Sequence, residues 1–438
     1  MDPCASRSRL PALGRILATA AALACASLAV AGDQPALPEL IEKLLASDAG
    51  GGRRKAVESI VRLQPSFDAL YQELRDRRRY RADVKVGSVQ RERRSPLGVV
   101  YPYILVVPKS YTPTRRYPVR VNLHGLVSRA AWDGRSSWVR AKERWESEDR
   151  IAILPAAWSE SRWWQASQIE NVTAILREVK RTYNVDENRV SLMGFSDGGT
   201  GAWYFAFRCP TPWAAYLPFI ASPSVLANQE TGVEGAAFVA NVTAKSFLVI
   251  NGSTDPLYPA EGVRPLMEAF RKIGADVTFE SEPGGHDTSW WERRAKQIDA
   301  FIDAHPRDPL PDALAWATDR TDRAHRSSWV VIDELDETAP GELTVLGAQP
   351  KRAGGVIVTR QGNTVDVQSL GVRRYRLLLS PEKFDLDNDV VVRTDGRDSF
   401  RGRVERSRET LLEWAAEDVD RTLLFAAELE IRVPPDVK

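Results

Sequence analysis

Hydrophobic positions change period along the chain, and each change marks a new kind of structure. Leu37, Leu40, Ile41, Leu44 and Leu45 recur every three or four residues, as do Val57, Ile60 and Val61 after the Gly50-Gly51-Gly52 break. One apolar stripe per helix follows, which predicts a helical N-terminal segment over residues 33–83. From residue 84 the period shortens. Val84 to Val89 alternate, while Tyr101 to Val107, Tyr117 to Leu123 and Ile151 to Leu154 are short, continuous apolar runs. Runs of that length suit strands buried on both faces. Helical spacing returns at Asn171 to Tyr183. A strand at Val190 to Met193 follows, then a turn and another helix. Asn184 to Asn188 reads as the turn leading into that strand. Phe247 to Ile250 and Val277 to Glu280 read as further strands around a Val263 to Ile273 helix, and a last helix covers Ser289 to Ala304. Strands alternating with helices predict a mostly parallel sheet, flanked by helices, over residues 84–306.

Asp308-Pro309-Leu310-Pro311-Asp312 punctuates the pattern. Beyond it, residues 322–436 carry apolar runs at Trp329 to Ile332, Val356 to Thr359, Thr364 to Val367, Arg374 to Leu379, Val390 to Val392 and Leu424 to Val433. Gly, Asn and Asp turns separate them, and one helix is expected over Thr410 to Ala416. This predicts a small β-rich accessory domain. A chain of 438 residues also exceeds what one core usually absorbs.

Composition changes the picture only at the N-terminus. Arg7, Arg9 and Arg15 precede an Ala-rich apolar run from Ile16 to Val30, and Ala29-Val30-Ala31 has the small-x-small pattern of a cleavage site. Residues 1–31 therefore read as a signal peptide, with the mature chain exported to the periplasm or the exterior. The run is too short for a stable membrane span, and Ala22 is a poor start for a lipid-anchor motif at Cys25. Cleavage leaves Cys209 without an internal disulfide partner. With 60 Lys and Arg against 59 Asp and Glu, a nucleic-acid partner has no electrostatic basis. Arg77-Arg78-Arg79 reads as a solvated helix face.

Candidate chemistry centres on Gly194-Phe195-Ser196-Asp197-Gly198-Gly199, between an apolar strand and a helix. A serine that attacks a carbonyl must be lifted clear of the sheet on a tight turn, and the following helix N-terminus favours developing negative charge. Serine also needs a base. His286, in Gly284-Gly285-His286-Asp287, falls in the loop between the last strand and the closing helix. His305 reads as a helix terminus and His325 as a tail residue. The group that orients His286 is Asp255, Asp276 or Asp287, and the chain order Ser196, Asp255, His286 favours Asp255. Oxyanion donors are expected at the backbone N–H groups of Asp197 and Leu126. His124 reads as a loop-shaping residue beside the substrate. Trp163 and Trp164 either line an acyl or aryl pocket or pack against the domain. No His or Cys cluster has metal-ligand spacing and no Gly-rich loop cradles phosphate, so no cofactor is expected.

Val121-Asn122-Leu123-His124-Gly125, Asp186-Glu187-Asn188-Arg189-Val190, the Ser196 hexapeptide, Asn251-Gly252-Ser253-Thr254-Asp255 and Gly285-His286-Asp287 together resemble the secreted esterase-like branch of the α/β-hydrolase superfamily. That branch includes polyhydroxybutyrate depolymerase-like, feruloyl esterase-like, phospholipase/carboxylesterase-type and prolyl-oligopeptidase-like proteins. The resemblance spans residues 84–306 and implies an α/β-hydrolase fold. It also implies triad roles for Ser196, Asp255 and His286, and an ester or peptide substrate. Asp197 departs from the hydrophobic, Met, Gln or Ala residue found there in many members. Three readings follow: an esterase, a serine peptidase, and a polymer-binding protein whose triad is vestigial.

Overall fold

Apolar runs hydrophobic on both faces need cover on both faces, and they form the centre of the molecule. In a computed structural model, β2 (Val100–Val107), β3 (Tyr117–Leu123), β4 (Ile151–Pro155) and β5 (Val185–Phe195) are flanked by β1 (Gly87–Arg94), β6 (Ala215–Phe219), β8 (Ser246–Gly252) and β9 (Asp276–Glu282). The two-residue β7 (Ala237–Phe238) lies outside this sheet. The order is β1-β2-β4-β3-β5-β6-β8-β9, antiparallel across β1, β2 and β4 and parallel from there on. Residues 36–47, 50–133, 137–139, 142–322, 325–338 and 340–434 are described. The expected signal peptide lies outside them.

The helices are α1 (Leu37–Ala46), α2 (Gly51–Arg62), α3 (Phe67–Asp76), α4 (Ala166–Thr182), α5 (Asp197–Arg208), α6 (Ala260–Lys272), α7 (Trp291–Ala304) and α8 (Arg408–Asp418). Trp203, Phe207 and Phe270 from α5 and α6 pack with Phe247 on one face of the sheet, and Trp291, Ile298 and Ile302 from α7 pack with Leu217 and Leu248 on the other. Among the described residues, no helix is long and apolar enough to cross a membrane.

The structure corrects several boundaries. β1 runs to Arg94 rather than ending at Val89, because its half-buried Arg91 and Arg93 pair with Glu178 and Glu170. The segment 184–188 is not a simple turn. β5 starts at Val185, pairs with Tyr117, and bulges before resuming at Val190 opposite Val119. Asp186 accepts the Asn188 N–H within that bulge. β6 was not anticipated by the pattern.

The β-rich region starts at Ala313 rather than residue 322, since Ala313–Thr318 pairs with Gly354–Gln361. That strand opens a five-stranded sheet, which faces a four-stranded one across a core of Trp316, Val358, Val367, Ile332, Leu377 and Ile431. The N-terminal helices do not stand apart either. Ile41, Leu44, Ile60, Leu70 and Leu74 pack on Leu411, Leu412 and Ala415 of α8.

Between these layers and the parallel sheet lies a buried polar seam. Lys180 and Arg307 both reach Asp420 Oδ2, at 2.9 and 3.0 Å, and Arg421 Nε donates to Glu187 Oε1 at 2.7 Å. Burial pushes the Asp420 carboxyl up, but the Arg307 and Lys180 cations outweigh it and hold the group below the usual carboxylate range. A second junction pairs Val345–Leu346 with β7.

Candidate active site

Strand β5 delivers Ser196 at its C-terminal end, at a backbone φ of 54° in the left-handed region that a serine rarely adopts. The turn closes only because the flanking residues lack side chains. A Cβ on Gly194 would stand 1.9 Å from the Gly198 carbonyl oxygen, and one on Gly198 would stand 2.0 Å from the Leu123 carbonyl oxygen. Helix α5 starts immediately after the serine, so the Asp197 N–H is among the first four that have no acceptor within the helix.

Two further loops converge there. His286 Nε2 lies 2.9 Å from Ser196 Oγ, and His286 Nδ1 lies 2.8 Å from Asp255 Oδ2. Asp255 is buried, and its other oxygen accepts the N–H groups of Leu257 and Tyr258 at 2.8 and 3.0 Å. Those two bonds fix the carboxylate against rotation. The competing carboxylates lie elsewhere. Asp287 accepts the Ser289 N–H at 2.8 Å ahead of α7, and these bonds to Ser289 hold it below the ordinary carboxylate range. Asp276 sits 3.1 Å from His305. His325 is in the β-rich region, where burial lowers its pKa.

The loop after β3 stands against Ser196, for a Cβ on Gly125 would lie 3.1 Å from Ser196 Cβ. Its shape is set by His124. The Nε2 atom accepts the Ala157 N–H at 3.0 Å, which leaves the ring proton on Nδ1 for donation to the Gly125 carbonyl at 2.7 Å. Burial lowers the His124 pKa to about 4, so the ring stays neutral near pH 7. Leu126 follows with φ of 57° and a side chain that is 65% exposed.

Trp163 and Trp164 pack instead of lining a pocket. Trp163 is fully buried and donates from Nε1 to the His124 carbonyl at 2.8 Å; Trp164 is 4% exposed and donates to the Thr231 carbonyl at 2.9 Å. His124 is likewise buried, so all three act as supports under the site. Sequence reasoning missed Tyr258, whose ring centroid is 5.8 Å from that of His286. It also missed Arg129, which donates to the Leu126 carbonyl at 2.9 Å. Tyr258 could have been suspected from its place three residues after Asp255, whereas Arg129 carried no signal. Among the described residues no cluster of three metal-ligating side chains occurs.

The strand order and the strand–turn–helix at Ser196 are those of the α/β-hydrolase fold. No protein-family model matches the chain, and no curated protein matches it. Among solved structures, a thermostable esterase is 23% identical over 50% of this chain, with a TM-score of 0.41, and this chain spans 63% of that protein's length. An S-formylglutathione hydrolase from Staphylococcus aureus is 18% identical over 50% of this chain and 99% of its own, with a TM-score of 0.38. A ferulic acid esterase is 19% identical over 50% of this chain and 98% of its own, also with a TM-score of 0.38.

Proposed function

We propose that the chain is an exported serine hydrolase that cleaves carboxylic esters through an acyl-enzyme. The observation that carries this reading is the unbroken line of hydrogen bonds from Ser196 Oγ through His286 to Asp255. His286 Nε2 takes the hydroxyl proton as Oγ attacks the ester carbonyl carbon, and the carbonyl electron pair moves onto oxygen. The buried Asp255 carboxylate stabilises the imidazolium that forms. Charge on the oxygen is met by the Asp197 and Leu126 N–H groups, the donors assigned from the elbow and the loop beside it. The alcohol leaves with the proton from Nε2. Water then attacks the acyl carbon with His286 again as base, and the acid departs.

Two exposed leucines, Leu126 and Leu257, belong to the loops that hold the site and favour an uncharged substrate against them. Export rests on the pattern of residues 1–31. The test is turnover of p-nitrophenyl esters from acetate to laurate by the mature chain and by Ser196→Ala. Hydrolysis that disappears with Ser196 supports the esterase, and its chain-length preference sizes the acyl site. Equal turnover by both proteins, or none by either, overturns it.

A further inference from the structure

The side chain of Asp197, the residue that departs from the superfamily pattern, has a partner 70 positions away in the chain. Its Oδ2 accepts the Val127 N–H at 2.9 Å. On the same peptide, the Leu126 carbonyl accepts Arg129 Nε at 2.9 Å. The 126–127 peptide is therefore held at both ends, by a carboxylate on its N–H and by a guanidinium on its oxygen. A planar peptide with both polar ends bonded has no freedom to rotate. The preceding peptide is held at its carbonyl by His124. Between these two pinned peptides sits Leu126, a branched residue at a φ of 57°, which relaxes out of the left-handed region unless its surroundings prevent it.

We propose that the Asp197 carboxylate is a positioning residue that clamps the loop carrying the Leu126 N–H onto the nucleophile turn. The residue then serves the oxyanion twice: its own N–H is one donor, and its side chain fixes the loop that supplies the other. The nucleophile and its oxyanion loop become one rigid unit, because Asp197 is bonded covalently to Ser196 and by hydrogen bond to Val127. What the clamp requires is an acceptor oxygen, and the negative charge is dispensable. An amide oxygen supplies the same acceptor, so Asn and Ala at this position behave differently.

This inference rests on the esterase reading, and the experiment separates the two. Turnover of a p-nitrophenyl ester is measured for the mature chain, Ser196→Ala, Asp197→Asn, Asp197→Ala and Asp197→Leu, with kcat and KM resolved and folding checked by thermal melts. Asp197→Leu keeps the branched shape without the acceptor and decides the matter if Asp197→Ala does not fold. The clamp predicts a kcat about 10- to 100-fold lower for the Ala and Leu variants, with KM within about threefold of the parent, because the lost order is felt in the transition state. Asp197→Asn restores kcat to within about threefold of the parent, since one hydrogen bond of similar geometry remains. A folded Leu variant with parental kcat overturns the clamp alone. So does an Asn variant as impaired as the Leu variant, which would make charge the operative property. A parent without Ser196-dependent turnover overturns the esterase reading and the clamp with it.

Discussion

The two ends of β5 are held in opposite ways. At Val185 the strand enters a seam of full charges, where Glu187, Lys180 and Arg307 are each less than a tenth exposed and are paired with Asp420 or Arg421 of the β-rich region. At Ser196 the same strand ends in a strained turn, a histidine whose side chain is 22% exposed and a loop pinned by single hydrogen bonds. Buried ion pairs contribute little net stability, but removing one partner is costly because the other is left charged and dry. The seam therefore resists separation. The turn does the reverse, keeping polar atoms accessible at a cost in backbone strain. One strand thus joins a place built to stay shut to the place where the proposed chemistry occurs.

Substitutions at the two ends should separate cleanly. The largest expected effect is at the reacting end: Asp255→Asn should lower kcat about 10⁴-fold by leaving His286 without an anion and in the wrong tautomer, with stability little changed. Steady-state kinetics beside a urea titration checks both halves. At the shut end, Asp420→Ala leaves the buried Lys180 and Arg307 without the carboxylate they share. It should destabilise the fold by about 3–5 kcal/mol while the folded fraction keeps its kcat. Equal loss of kcat there would mean that strain travels along β5.

The third expectation concerns pH and involves His124. Its folded pKa of about 4 lies below the 6.5 of a free histidine, so the unfolded chain binds more protons between these values. Stability from this residue is complete above pH 6.5 and is lost as pH falls towards 4, a change on the order of 3 kcal/mol. Urea midpoints at pH 7 and pH 4.5 should therefore differ less for His124→Asn than for the parent.

How much of this was legible in the sequence depends on how far apart the deciding residues lie. Strands β2, β3 and β4 were readable because they are apolar on both faces, and the glycines around Ser196 announced a tight turn. β6 was not, since Ala215–Phe219 is short and contains Pro218, a residue that normally argues against an inner strand. It fits because Pro218 lies opposite Gly194, where the elbow begins. β1 was truncated because Arg91 and Arg93 look solvent-bound until Glu178 and Glu170 arrive from α4. The β-rich region was begun too late because Ala313–Thr318 acquires its strand character from residues 354–359. For Trp163 and Trp164 the pattern left lining and packing open, and only burial decides. The Asp197 carboxylate read only as a departure from the pattern of the resembled branch, because Val127 is distant in sequence.

The β-rich region is tied to the α/β region at several separate places, among them the seam at 420–422, the bonds of Asn241 to the Ala317 N–H and carbonyl, the Arg208–Asp319 ion pair, and the pairing of Val345–Leu346 with β7. A part mounted at one point can swivel or be unscrewed; a part mounted at several cannot. The tail is therefore no cassette to be cut off or traded between chains, since any replacement has to match all of these mountings at once. An engineer seeking the smallest stable chain would do better to shorten the turn between β1 and β2, where Leu97 is 91% exposed, than to stop the chain at residue 306.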